Sequence, residues 1–275
     1  MGCKSTITYH QEVFETTPQR KVPVKTFTQK EKSDKVVLLL PDFPDTVAIA
    51  QTEALRLMRK AGYDIILTGK PGEDVSTIGH LDNREQRLQD LITVFQHYIH
   101  DRYQHYIIMG IGEGAYLVPA LHNLTEADTS IAVNMNPYSP LHGYESLLSS
   151  DSLSPAEWRI VYNTGASTLN ELRVKLERVK KDGAGPDRLY PNKNQQWMSY
   201  YKNPVLEDVT VTTKPLYWIN FEHYPMISAA HQKEVALFCK VPYASFILLP
   251  GNGNLNKEES AEQLAAAIKN IIALH

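Results

Sequence analysis

Cysteine is the scarcest residue in this chain. Two, Cys3 and Cys239, stand at opposite ends of 275 positions, which excludes a disulfide framework and fits a reducing compartment. Ten histidines are present, but none falls into His-x-x-x-His spacing and there is no Cys-x-x-Cys pair. A metal site is therefore not expected, and nothing in the sequence requires a cofactor. No apolar run approaches the ~18 residues of a membrane span. A net charge of −3 and a pI near 6.4 leave no polycationic surface for nucleic acid. Internal repeats and low-complexity segments are missing too.

What is there is enough apolar material for one large core. A hydrophobic fraction of 43% over 275 residues is ordinary for a single α/β domain covering residues 1–275. The start of the chain is the exception. Met1-Gly2-Cys3-Lys4-Ser5-Thr6 matches the pattern for myristoylation of Gly2, and Cys3 is placed for palmitoylation. Two lipid chains are what stable anchoring needs. Residues 1–6 are thus a candidate acylated tail that would hold a cytoplasmic protein peripherally on a membrane; the competing reading is an unmodified tail matching a short pattern. No apolar stretch precedes the site, so it is not a secretory signal peptide.

Taken in order, the chain alternates strand and helix. Ile7–Phe14 and Lys21–Thr28 read as two strands, with Pro23 suited to a sheet edge. Val36–Leu40 (VVLLL) and Tyr63–Leu67 (YDIIL) are short, wholly apolar runs, the pattern of buried parallel strands. Val47–Ala61 and Arg84–His100 carry helical periodicity. Tyr106–Ile111 is a strand, Gly114–Leu121 a helix, and Ser130–Asn134 a further strand. From 138 to 211 there are helices and no convincing buried strand, which predicts a helical cap insertion. Its Glu171–Lys202 portion holds eight basic side chains against four acidic ones, either a solvated helical face or an electropositive one. Trp197, Tyr200 and Tyr201 read as one aromatic cluster. Alternation then resumes with strands Pro215–Asn220 and Ala244–Leu249 and helices Ile227–Lys240 and Ser260–Leu274. This order predicts a mostly parallel sheet flanked by helices on both faces.

The chemistry should lie around Gly110-Ile111-Gly112-Glu113-Gly114. An apolar strand, three alternating glycines and a helix make the sharp turn of a nucleophile elbow, G-x-S-x-G. The middle position is Gly112, which has no side chain to attack with. Glu113 is a substitute candidate, since carboxylates form covalent intermediates; equally, an acid in a first helical turn complements the helix dipole. The layout resembles the α/β-hydrolase fold from Ile7 onward. That resemblance implies an acid after the Pro215–Asn220 strand, where Glu222 is the candidate and Tyr224 the alternative offset. It also implies a histidine after Ala244–Leu249. There the turn is Pro250-Gly251-Asn252-Gly253, with Asn252 in the histidine's place, and an amide cannot serve as a general base. His223, beside Glu222, is the candidate for a rewired acid–base pair, whereas His10, His80 and His122 read as surface or loop residues.

Within this fold, Gly110-Ile111-Gly112-Glu113-Gly114-Ala115-Tyr116-Leu117 and Val133-Asn134-Met135-Asn136-Pro137 resemble the N-myc downstream-regulated family. The likeness implies the hydrolase fold without a working triad, serving signalling rather than hydrolysis. The expectation is a catalytically inactive protein that acts as a binding or adaptor module for a protein partner or a small apolar ligand. The alternative is a hydrolase or lyase with displaced acid–base groups, in which Glu113 and His223 would have to meet in one cavity.

Overall fold

The computed structural model describes residues 8–41, 49–69, 83–125, 127–150, 152–181, 188–189, 192–255 and 257–274. The acylation candidates Gly2 and Cys3, and His80, lie outside the described residues.

The sheet strands in chain order are β1 (Thr8–Thr17), β2 (Arg20–Thr28), β3 (Lys35–Leu40), β4 (Asp64–Thr68), β5 (His105–Ile111) and β6 (Thr129–Val133). After a two-residue ladder of β7 (Arg188–Leu189) with β8 (Asn192–Lys193) come β9 (Leu216–Phe221) and β10 (Ala244–Leu249). Eight of these form one sheet in the order β1-β2-β4-β3-β5-β6-β9-β10. Every neighbouring pair from β4 to β10 is parallel, and β2 runs antiparallel to both its neighbours.

Side chains alternate faces along each strand, so the apolar runs feed two cores. In β3, Val36, Leu38 and Leu40 pack with helices α2 (Arg84–Tyr98), α3 (Val118–Thr125) and α9 (Ala229–Phe238). Val37 and Leu39 pack on the other side with α1 (Ile49–Lys60) and α10 (Glu258–Ala273). This two-sided burial is why the buried strands read as unbroken hydrophobic runs. Each core hides well over ten apolar side chains, at roughly 1.5–3 kcal/mol apiece before the entropy of ordering is subtracted.

Between β6 and β9 stand α4 (Pro140–Leu148), α5 (Pro155–Asn163), α6 (Leu169–Lys181), α7 (Asn194–Lys202) and α8 (Val205–Thr210). Leu141, Tyr144, Leu147, Leu172, Leu176 and Trp197 give these helices a core of their own. The expected aromatic cluster is not one cluster. Trp197 meets Tyr144 edge-on at 5.8 Å, Tyr201 stacks on His142 at 5.0 Å, and Tyr200 turns to Tyr116 in the main core at 6.0 Å. Helix α7 therefore joins these helices to the core on one face of the sheet.

Two further expectations need correction. Pro23 does not lie in an edge strand, because β1 covers β2. It is tolerated since the N and O of one strand residue point the same way, and its O reaches Gly69 N at 2.8 Å, past the last residue of β4. The missing donor thus falls where the ladder has ended. His122 is buried in α3, not a surface or loop residue: it is 2% exposed, between Ser130 Oγ at 2.8 Å and the Lys214 carbonyl at 3.2 Å. Burial holds its pKa down at about 4.

Candidate functional site

Parallel strands put the loops after β5, β6, β9 and β10 at one edge of the sheet, where α/β proteins place their ligands. The elbow comes first. Gly112 has φ +54° and opens a short 3-10 turn, Gly112–Leu117, before α3 begins at Val118. Pro119, second in α3, has no N–H to bond the carbonyl four residues back, so the α-helix starts later than the sequence pattern indicated. The flanking glycines are fixed by packing. A Cβ on Gly110 would lie 2.5 Å from Val118 Cγ2, and one on Gly114 would lie 2.3 Å from the Leu40 carbonyl oxygen.

The candidate acids follow β9. Glu222 is exposed, held by its backbone N–H to the Leu249 carbonyl at 2.9 Å. The alternative offset, Tyr224, is half-buried, and its ring lies 3.0 Å from where a Cβ on Gly253 would be. In the turn after β10, Asn252 Oδ1 accepts from Asn254 N at 3.1 Å. The amide thus braces its own turn, and Gly253, at φ +64°, closes that turn against Tyr224 and Phe221. Asn134 Nδ2 donates to the Gly253 carbonyl at 3.3 Å, tying the end of β6 to the same turn.

Two cavities bear on the candidates. The larger, about 650 Å³, lies between the insertion and the loops after β9 and β10, and Asn252, His223 and Tyr224 line it. Its opposite wall is the end of α4 and the start of α5, including Ser146, Ser150 and Ser154. The smaller, about 10 Å³, is lined by Glu113, Arg87, Thr68 and Tyr200 among others. It has room for one water at most. Glu113, 8% exposed, neither reaches solvent freely nor shares a cavity with His223. The thiol of Cys239 is no substitute nucleophile: burial pushes its pKa up to about 12.

Some polar features at this edge were not legible in advance. Asn136 is fully buried, donating to the Met226 carbonyl at 3.2 Å and lying 3.1 Å from His231 Nδ1. Asn220, also fully buried, bonds Met135 and Gln232. Asn220 had one sequence signal, its place at the close of an apolar strand, and Asn136 only its place in the Val133–Pro137 segment.

No protein-family model matches the chain, and no curated protein sequence does either. Solved structures do match. An esterase of Pyrococcus furiosus aligns with a TM-score of 0.69 and 12% identity, over 98% of this chain and 91% of that one. Est1E of Butyrivibrio proteoclasticus gives 0.68 and 11%, over 96% and 98%. Mouse alpha/beta hydrolase domain-containing protein 10 gives 0.66 and 12%, over 96% and 99%. This chain has the α/β-hydrolase fold. At these identities the likeness carries the fold alone. Gly112 follows β5, Glu222 and Tyr224 follow β9, and Asn252 sits in the turn after β10. Among the described residues, no helix is long and apolar enough to cross a membrane.

Proposed function

We propose that this is an α/β-hydrolase-fold protein that binds a small molecule rather than hydrolysing one, a pseudoenzyme acting as a binding or adaptor module. One observation carries the reading. Gly112 has nothing to attack with and Asn252 cannot take a proton, yet a 650 Å³ cavity persists beside Asn252 and Tyr224. That volume is within the range of small-molecule sites. The notable change from the sequence expectation is the cavity's polarity, since serine and asparagine share its wall with the apolar groups.

Kinship with the non-catalytic N-myc downstream-regulated proteins, and with it a signalling role, belongs to the same proposal and is supported by the Gly110–Leu117 wording. So does membrane attachment through acyl groups on Gly2 and Cys3; mass spectrometry of the native protein finding Gly2 unmodified would remove it. The displaced-chemistry alternative is the weaker one, because Glu113 and His223 line different cavities.

The test is direct. Purified wild-type protein should release no p-nitrophenol from p-nitrophenyl acetate or butyrate beyond the rate with heat-denatured protein. Turnover that disappears on Glu113→Gln would overturn the proposal.

A further inference from the structure

Resting on that binding reading, we propose that the 650 Å³ cavity takes a neutral, polyhydroxylated small molecule of the sugar or cyclitol class. The argument is one of charge and hydrogen-bond valence. Among the described residues, the lining holds no lysine or arginine and a single histidine, His223, so a phosphate or carboxylate would find no permanent counter-charge there and would lose part of its hydration. One carboxylate is present, Glu157, and its Oε2 is already taken by Ser154 N at 2.6 Å in a capping box. A neutral ligand is the match.

The hydroxyls sort by what their local bonds leave over. Ser146 Oγ donates to the His142 carbonyl at 3.0 Å, so it faces the cavity with lone pairs to offer. Ser150 Oγ points its hydrogen to the Ser146 carbonyl at 3.5 Å and is placed likewise. Ser154 and Ser228 do the reverse. Each caps a helix by accepting a backbone N–H, from Glu157 at 3.3 Å and His231 at 3.2 Å, which leaves its own O–H to donate. Asn252 uses its Oδ1 within the turn, leaving Nδ2 as a donor. The wall from α4 therefore offers acceptors, and the caps of α5 and α9 with Asn252 offer donors. A molecule whose every edge both donates and accepts fits such a division, and a polyol is that molecule. Tyr224, Pro225, Pro155 and Ile227 supply the apolar surface against which its C–H faces would lie.

The experiment is saturation-transfer NMR on the full chain. Methyl glucopyranoside and inositol are the neutral probes, methyl glucuronide and inositol monophosphate their charged partners, and cyclohexanol is the apolar probe. At least one neutral polyol should bind, with its charged partner at least about tenfold weaker, as an uncompensated charge demands. Ser146→Ala, which also favours the helix, should weaken it by about fivefold, the loss of one neutral hydrogen bond. Ser228→Ala should do the same, with circular dichroism confirming that α9 has survived loss of its cap. A charged partner binding as tightly as its neutral one, or affinity untouched by both variants, overturns the proposal. Binding of cyclohexanol without either polyol overturns the ligand class and leaves the binding reading standing. If no probe binds, both fall.

Discussion

On the binding reading, placing a hydroxyl at the elbow should not make a hydrolase. Gly112→Ser places the usual nucleophile at φ +54°, a left-handed conformation that costs a residue with a Cβ about 1–2 kcal/mol. Replacing glycine also removes freedom from the unfolded chain, returning roughly 0.4–1 kcal/mol. The net loss of stability is then about 1 kcal/mol, small enough for the variant to fold. A serine hydroxyl remains a weak nucleophile unless a base takes its proton, and at the base position stands Asn252, its Oδ1 engaged with Asn254 N. In a serine protease, loss of the nucleophile or of the histidine alone costs about 2 × 10⁶ in kcat. Gly112→Ser should therefore show no fluorophosphonate labelling and no burst with p-nitrophenyl butyrate. Adding Asn252→His, and Tyr224→Asp at the alternative offset to Glu222, supplies base and acid, and labelling of the triple variant should exceed that of the single one by at least about tenfold, the smallest effect a working general base gives being larger still. If Gly112→Ser alone labels as fast as the triple variant, a base already serves the elbow, and the claim that two independent positions have lost their chemistry is refuted.

Gly114→Ala should be far more damaging than Gly112→Ser. Its new Cβ meets backbone at 2.3 Å, and urea unfolding should register a loss at or above the ~3 kcal/mol upper end of overpacking. Arg20→Ala strands Asp90, which is 1% exposed and held by Arg20 Nη2 at 2.6 Å; about 3–5 kcal/mol is expected, with Arg20→Met/Asp90→Leu recovering most of it in the same assay. His122 makes stability depend on pH. Its folded pKa, about 4, lies below the ordinary ~6.5, so the unfolded chain binds the extra proton. Its contribution is complete above pH 6.5 and is lost as pH falls toward 4, with an upper figure of about 3 kcal/mol. NMR titration of the His122 ring should place its midpoint near 4, and a midpoint at 6 or above would contradict the burial argument.

The parts of the fold that were legible are those written in local pattern. VVLLL could be read as a buried parallel strand because both of its faces are covered, and the elbow because three glycines at alternate positions have few other uses. What escaped depends on neighbours far away in sequence. Pro23 was placed at an edge because nothing within β2 says that β1 will lie outside it. His122 looked like a loop residue because its second partner, the Lys214 carbonyl, is 92 positions on. Trp197 and Tyr200 sit three apart on α7 yet enter different cores, and periodicity alone does not say how many cores a helix touches. The cavity joins segments near 146–157, 223–228 and 252, which only the sheet order brings together. Its serines are unremarkable one by one, and their division into donors and acceptors exists only once each local bond is known.

That division of legibility bears on why an elbow should outlive its nucleophile. Gly110 and Gly114 are held by contacts with Val118 and Leu40, that is, by the packing of β5 and its helix on the sheet. Those constraints stay in force whatever the protein does. The middle position is different: with a side chain there, φ +54° stores strain that is useful while the side chain does chemistry. On the binding reading that use is gone, and glycine is the residue that removes the strain without moving the turn. Asn252 follows the same logic, its side chain bonding its own turn. On the binding reading, neither position is under pressure to hold a residue that catalysis would require. If the binding reading holds, relaxation of this kind is what selection on folding alone would leave.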